Sequence, residues 1–317
     1  MKSFITTPFI LFFACAAFAQ PVKKHGQLKV EGTKLVDKNA TPIVLRGVSF
    51  GWSCFHPRFY TKGAVEWLHK DWNCNVVRAA LGVEPDNGYI KDEAASTAQI
   101  KAVVDGAIKE GIYVIIDWHS HNINLQESKK FFTEMATAYG KYPNVIYEIF
   151  NEPDYETWEE VKKYSIEIIS TIRAIDPDNI ILVGSPRWDQ DIQLPAADPI
   201  KGFDNLMYTM HFYAGTHKQW LRDRTDSAIN KGLPVFISES AGMEATGDGP
   251  LDNAEWKKYI DWMDARGLSW ITWSVSDKDE SCSVLNKSAS SDGKWKEADL
   301  KEAGIKTRAY LRGYPKQ

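Results

Sequence analysis

The chain has 317 residues, 44% hydrophobic and 25% charged, with 38 Lys and Arg against 42 Asp and Glu for a formal net charge of −4. That balance belongs to a globular chain and excludes a disordered or membrane-embedded one. Mild acidity without basic blocks points away from a nucleic-acid partner, and 12 Trp are the one count that asks for an explanation.

The first feature in chain order is a leader. Lys2 supplies a positive charge, residues 4–13 are mostly apolar, and Ala17-Phe18-Ala19 has the small-x-small pattern that precedes cleavage. The run is too short to anchor the chain in a bilayer. Residues 1–19 are therefore expected to be a signal peptide, and 20–317 a single secreted domain, extracellular or periplasmic. Loss of Lys2 with no acid takes the charge to −5, and all 12 Trp remain. The mature cysteines Cys54, Cys74 and Cys282 cannot build a disulfide framework. At most one bridge can form within the chain, and the pairing stays open.

After the leader, residues 26–39 alternate like a β-hairpin. Eight short runs follow, rich in β-branched and aromatic residues, at 43–49, 75–81, 113–119, 145–151, 180–185, 206–211, 235–239 and 270–274. Most are continuously apolar, as buried parallel strands are. Helical patterns separate them at 62–72, 97–110, 128–139, 158–175, 217–231 and 253–266, with a last one at 301–311. The weakest helical pattern is the link at 189–197. Gly111, Gly232 and Gly267 stand where helices should stop. Strictly alternating strands and helices without a linker predict one (β/α)8 TIM barrel, its bottom plugged by the hairpin.

In such a barrel the site forms where strands end. Six apolar runs end in polar or aromatic groups: Arg78, Asp117-Trp118-His119, Asn151-Glu152-Pro153, His211-Phe212-Tyr213, Ser238-Glu239-Ser240 and Trp273. Packing alone does not call for these residues. Glu152 and Glu239 end the fourth and seventh strands, which can face each other across an eight-strand ring. A facing carboxylate pair is what cleavage of a glycosidic bond needs. One group must protonate the leaving oxygen while the other attacks or supports the sugar carbon, with their pKa values set apart.

Taken together, Asn75-Val76-Val77-Arg78, Asp117-Trp118-His119, Ile149-Phe150-Asn151-Glu152-Pro153, His211-Phe212-Tyr213, Ile237-Ser238-Glu239 and Trp273-Ser274 resemble glycoside hydrolase family 5. The stretches at 47–53, 118–121 and 273–280 are similar to its bacterial endoglucanase branch. The resemblance implies Glu152 as acid/base and Glu239 as nucleophile of a retaining endo-β-1,4-glucanase. It implies Asn151 on the sugar 2-OH, and Arg78 and Tyr213 holding Glu239 ionised. His119 and His211 would bond hydroxyls and carboxyls, Trp273 would stack under the reacting sugar, and Lys278 and Glu280 would bond neighbouring glucose units. Trp52 and Trp188 are further stacking candidates. Some relatives carry a His in the loop after strand one, where this chain reads Phe50-Gly51-Trp52.

The implied partner is a β-glucan or cello-oligosaccharide, bound by a monomer that needs no cofactor and no metal. Other readings stand beside this one. A mannanase, xylanase or xyloglucanase would use the same barrel, and a non-catalytic glycan-binding protein would use the same cleft. His119, His121 and His211 keep a metal reading open, although the two glutamates have a full role without an ion. The Trp divide accordingly. Trp67, Trp72, Trp158, Trp220, Trp256 and Trp262 lie in helical patterns and need only packing. Trp118 and Trp273 at strand ends, with Trp52, Trp188 and Trp295 in loops, form the set available for sugar stacking.

Overall fold

The computed structural model describes residues 20–316, so the leader expected at 1–19 lies outside the described residues. β1 (Lys29–Glu31) and β2 (Lys34–Val36) pair antiparallel as the expected hairpin, turning at Gly32 with φ +60°. Eight strands then close into a parallel barrel: β3 (Arg46–Phe50), β4 (Val76–Gly82), β5 (Tyr113–His119), β6 (Val145–Glu148), β7 (Ile180–Val183), β8 (Leu206–Tyr213), β9 (Val235–Ala241) and β10 (Trp270–Val275). Each strand neighbours the next in sequence, and β10 closes the ring on β3. This is the (β/α)8 barrel the alternation predicts.

The side chains separate by strand parity. Outward residues such as Val77, Val114, Ile116, Trp118 and Tyr147 pack against the helices. Inward residues near the strand starts, among them Val76, Tyr113, Ile115, Ile146, Leu182, Phe236 and Ile271, form a second apolar cluster inside the barrel. Leu28 and Leu35 of the hairpin region belong to that inner cluster, so the hairpin does cover the bottom. The Tyr113 hydroxyl donates to the Gly26 carbonyl at 2.8 Å, and Gln27 Nε2 donates to Asn179 Oδ1 at 2.9 Å, tying the cover in place.

Helix boundaries follow capping chemistry. Asp92 accepts from the Ala95 amide, so the helix Glu93–Glu110 starts a turn before the expected residue 97. Thr157 and Glu160 form a capping box at the head of Trp158–Arg173. Gly111 and Gly267 end their helices in the left-handed conformation. The link at 189–197 is two short helices, Pro186–Asp189 and Gln193–Ala197. Within the first, Arg187, Trp188 and Asp189 all have positive φ, between +55° and +58°. β6 stops at Glu148, three residues short of expectation, because the backbone then turns from β7 toward β5. Ile149 N still donates to Leu182 O, but Asn151 N donates to Trp118 O and Glu152 N to Ser120 O. Cys54, Cys74 and Cys282 are all free and buried, so none of the pairings left open forms.

Candidate active site

Above the apolar layer the same inward positions become charged. Arg78 on β4 follows Val76, Asp117 on β5 follows Ile115, and Glu148 on β6 follows Ile146. Arg78 is fully buried. Its Nε donates to Glu148 Oε2 at 2.6 Å, Nη1 to Glu239 Oε2 at 3.0 Å and Nη2 to Asn151 Oδ1 at 2.6 Å. Nη2 also lies 3.0 Å from Asp117 Oδ2. Burial alone would push Glu148 up, but the Arg78 guanidinium and His211 hold it down at about 2. Burial raises Asp117 well above the usual carboxylate range against the pull of Arg78.

Glu239 lies on β9 two residues before its end, because the strand runs past the expected 239 to Ala241, and a register shift in the β8–β9 pairing sets His211 directly beside it. Arg78 takes Glu239 Oε2, and the Tyr213 hydroxyl donates to Oε1 at 2.7 Å. Burial, with the Glu152 charge in the same direction, lifts Glu239 above its ordinary value, while His211, Arg78 and Tyr213 oppose the shift. Glu152 sits in the loop after β6. His211 Nδ1 lies 2.9 Å from its Oε1, and His121 Nδ1 lies 3.8 Å from Oε2. Burial works against its charge, but His211 wins and holds Glu152 below the ordinary range. His211 is raised well above 6.5 despite burial because Asp189, Glu148 and Glu152 surround it.

A cleft of about 650 Å³ opens over this layer. Glu152, His211, Tyr213 and Glu239 form part of its lining, with Trp52, His119 and Trp273 to one side. His119 stacks on Trp273 with ring centroids 4.9 Å apart and planes 4° off parallel, and it packs nearly perpendicular to Trp52 with centroids 4.3 Å apart. Its Nδ1 lies 2.7 Å from Asp117 Oδ2, and burial followed by the Arg78 charge keeps the ring well below 6.5, hence neutral. Lys278 and Glu280 line the cleft as an ion pair, and Trp188 lines it with 38% of its surface exposed. Ten of the twelve residues singled out from the sequence thus share one cleft. The other two, Arg78 and Asn151, are buried and joined to each other, Arg78 also holding Glu239. Asn151 Nδ2 is buried and makes no hydrogen bond with the described residues.

Two Trp expectations are corrected. Trp118 is fully buried among Tyr89, Phe131 and Phe132 on the outer side of the strand, because its neighbour His119 takes the inward position. Trp295 is buried against Phe59 and Trp72. Conversely, Trp220 is 42% exposed and lines the cleft beside His217 rather than serving only to pack. Sequence reasoning also missed Glu148 and Asp189. A lone acid inside the apolar run Val145-Ile146-Tyr147-Glu148-Ile149-Phe150 was the available signal for the first.

Glu152, His211 and Glu239 offer ligand atoms within 4.8 Å of one another. These atoms are directed at partners already in place: His211 Nδ1 at Glu152, and both Glu239 oxygens at Arg78 and Tyr213. Each of these ligand atoms thus already has a hydrogen-bond partner in the site.

Comparison with known proteins agrees with this geometry. The family model for cellulase (glycosyl hydrolase family 5) matches residues 36–279. An endoglucanase of Clostridium saccharobutylicum is 41% identical over 91% of this chain and 65% of its own length. Endoglucanase N of Pectobacterium atrosepticum is 41% identical over 94% of this chain and 68% of its own length. The chain thus spans about two thirds of the length of these curated relatives. Among solved structures, a protein from Cytophaga hutchinsonii superposes with a TM-score of 0.91 at 41% identity, covering 93% of this chain and 97% of that one. The catalytic domain of a Thermobifida fusca endoglucanase, solved as a Glu-to-Gln variant with cellotetraose, superposes with a TM-score of 0.87 at 32% identity, covering 93% and 100%. A barrel with this cleft, this charged layer and these relatives belongs to glycosyl hydrolase family 5.

Proposed function

We propose that the chain is an endo-β-1,4-glucanase that hydrolyses internal bonds of cellulose or soluble β-glucans with retention of configuration. The observation that carries this reading is the approach of the Glu152 and Glu239 carboxylates to within 4.8 Å of each other at the floor of an aromatic-lined cleft. Retaining glycosidases hold their carboxyl groups about 5–5.5 Å apart, whereas inverting ones leave about 6.5–9.5 Å for a water. The endoglucanase names of the curated relatives support the choice of glucan.

In this reading Glu239 attacks the anomeric carbon, aimed by Tyr213 and Arg78 through its two oxygens. The leaving oxygen takes its proton from Glu152. That proton rests on His211 Nδ1, one 2.9 Å hydrogen bond away, and crosses to Glu152 Oε1 as ionised Glu239 disfavours a second negative charge nearby. Once Glu239 is esterified its charge is gone, so Glu152 ionises readily and draws a proton from the attacking water. The unpaired Asn151 Nδ2 is a donor for the sugar 2-OH. Trp52, Trp188 and Trp273 offer ring faces to pyranose units, and Lys278 and Glu280 offer polar contacts to hydroxyls.

Substituting Glu239→Gln or Glu152→Gln should lower turnover of carboxymethylcellulose by about 10²–10⁴-fold or more with the fold unchanged. Activity near the parent level in either variant would overturn the mechanism. Proton NMR of the first product should show the β-anomer. Rates on glucan, mannan, xylan and xyloglucan measured side by side decide the sugar. We further propose that the protein acts as an exported monomer. Sequencing the mature N-terminus from culture fractions and light scattering test those two points.

A further inference from the structure

We propose that Asp189 is a positioning residue of the hydrolytic reaction, forming with His211 and Glu152 a three-group relay that keeps a transferable proton at Glu152. The inference rests on the reading of Glu152 as acid/base.

His211 stands between two carboxylates. Its Nδ1 faces Glu152 Oε1 at 2.9 Å, and its Nε2 lies 3.2 Å from Asp189 Oδ2. Asp189 is fully buried and fixed at both oxygens. The Ser185 amide donates to Oδ1, and the Thr209 hydroxyl donates to Oδ2 at 2.7 Å. The backbone is bent to bring it there: Arg187, Trp188 and Asp189 are three successive non-glycine residues in the left-handed region. Such a conformation is costly for a residue with a side chain and persists only where surrounding contacts over-determine it. The same turn sends the Trp188 amide to the Pro153 carbonyl at 2.9 Å, so it is joined to the loop that carries Glu152.

The proton arithmetic gives Asp189 its role. A carboxylate 3.2 Å from Nε2 favours a proton on that nitrogen. Nδ1 then either accepts from a protonated Glu152 or, as imidazolium, donates to an ionised one, and both forms hold the same number of protons. Moving between them shifts one proton across one hydrogen bond without changing the net charge. The other groups around His211 do not replace Asp189. Glu148 on β6 is 3.7 Å from Nε2 and engaged by Arg78. Ser238 on β9 makes the hydrogen bond at Nε2, at 2.9 Å, but is neutral and supplies no charge to hold the proton there, which Asp189 does as the ion-pair partner. Glu239 faces His211 across the ladder but serves as nucleophile, while Asp117, His119 and His217 act from farther away.

In D189N the amide oxygen would keep the Ser185 bond, turning the NH2 group toward Nε2. His211 would then be held as the opposite tautomer, with Nδ1–H donating permanently to Glu152. The test compares parent, D189N and E152Q on 2,4-dinitrophenyl and phenyl cellobioside, with the pH profile of kcat/KM. For D189N the alkaline limb should move down by about one pH unit or more. Its rate on the phenyl substrate, which needs leaving-group protonation, should fall about 10-fold or more beyond its fall on the dinitrophenyl substrate. An unmoved limb with equal losses on both substrates would overturn the relay. E152Q losing equally on both substrates would instead overturn the acid/base reading beneath it. Should D189N fail to fold, nitrogen NMR of histidine-labelled parent protein serves: Nε2 of His211 protonated at neutral pH supports the relay, and an unprotonated Nε2 refutes it.

Discussion

The lower and upper halves of the barrel interior are built from the same strands and held by opposite physics. Below, Val76, Tyr113, Ile115, Ile146, Phe236 and Ile271 close an apolar layer. Burial there stabilises by about 1.5–3 kcal/mol for each large side chain and depends little on exact position. Above, one step along the same strands, Arg78 meets Asp117, Glu148 and Glu239 without solvent. There each group is tolerable only while its partners stay in place. The lower half can exchange hydrophobes of similar volume. The upper half cannot exchange a single charge, and that is where the proposed chemistry sits.

Three perturbations press on this contrast. Arg78→Met should be the most damaging, because it strands buried carboxylates. We expect a stability loss of about 3–5 kcal/mol in urea unfolding together with near-complete loss of turnover. Next, Ile115→Ala should cost about 2–5 kcal/mol in the same unfolding experiment while leaving kcat of the folded enzyme at the parent level. A matching loss of kcat would mean that the halves are not separable. The smallest effect comes from acid. Glu148 is held at about 2 against an ordinary 4.5, so its contribution is complete above 4.5 and is lost as the pH falls toward 2. Unfolding free energies measured from pH 6 down to pH 2.5 should fall by at most roughly 3 kcal/mol on this account. The Ile115→Ala offset should be the same at every pH.

The contrast also explains what could be read in the sequence. Apolar runs ending in polar residues located the barrel and the residues at its mouth, since both signals repeat along the chain. The direction of a side chain was harder to see, yet alternation contained it. His119 and Trp118 are adjacent and must point oppositely, so a cleft role for His119 already argued against one for Trp118. Glu148 and Asp189 stayed hidden for different reasons. Glu148 looked like part of a hydrophobic strand. Asp189 reaches His211 only through three left-handed residues, a backbone path that no local pattern announces.

The closing contact of the ring has a consequence for how the chain is made. A hydrogen bond from the Leu45 amide to Ser269 Oγ spans 224 positions, and β3 finds β10 only after nearly everything between them exists. Until then the nascent barrel has two open edges, and the guanidinium at 78 waits for a carboxylate at 239. Loop closure on this scale slows assembly and exposes unpaired strand edges on the way. The order of synthesis therefore makes the charged layer among the last parts of the molecule to form, and no product truncated before β10 can carry a completed cleft.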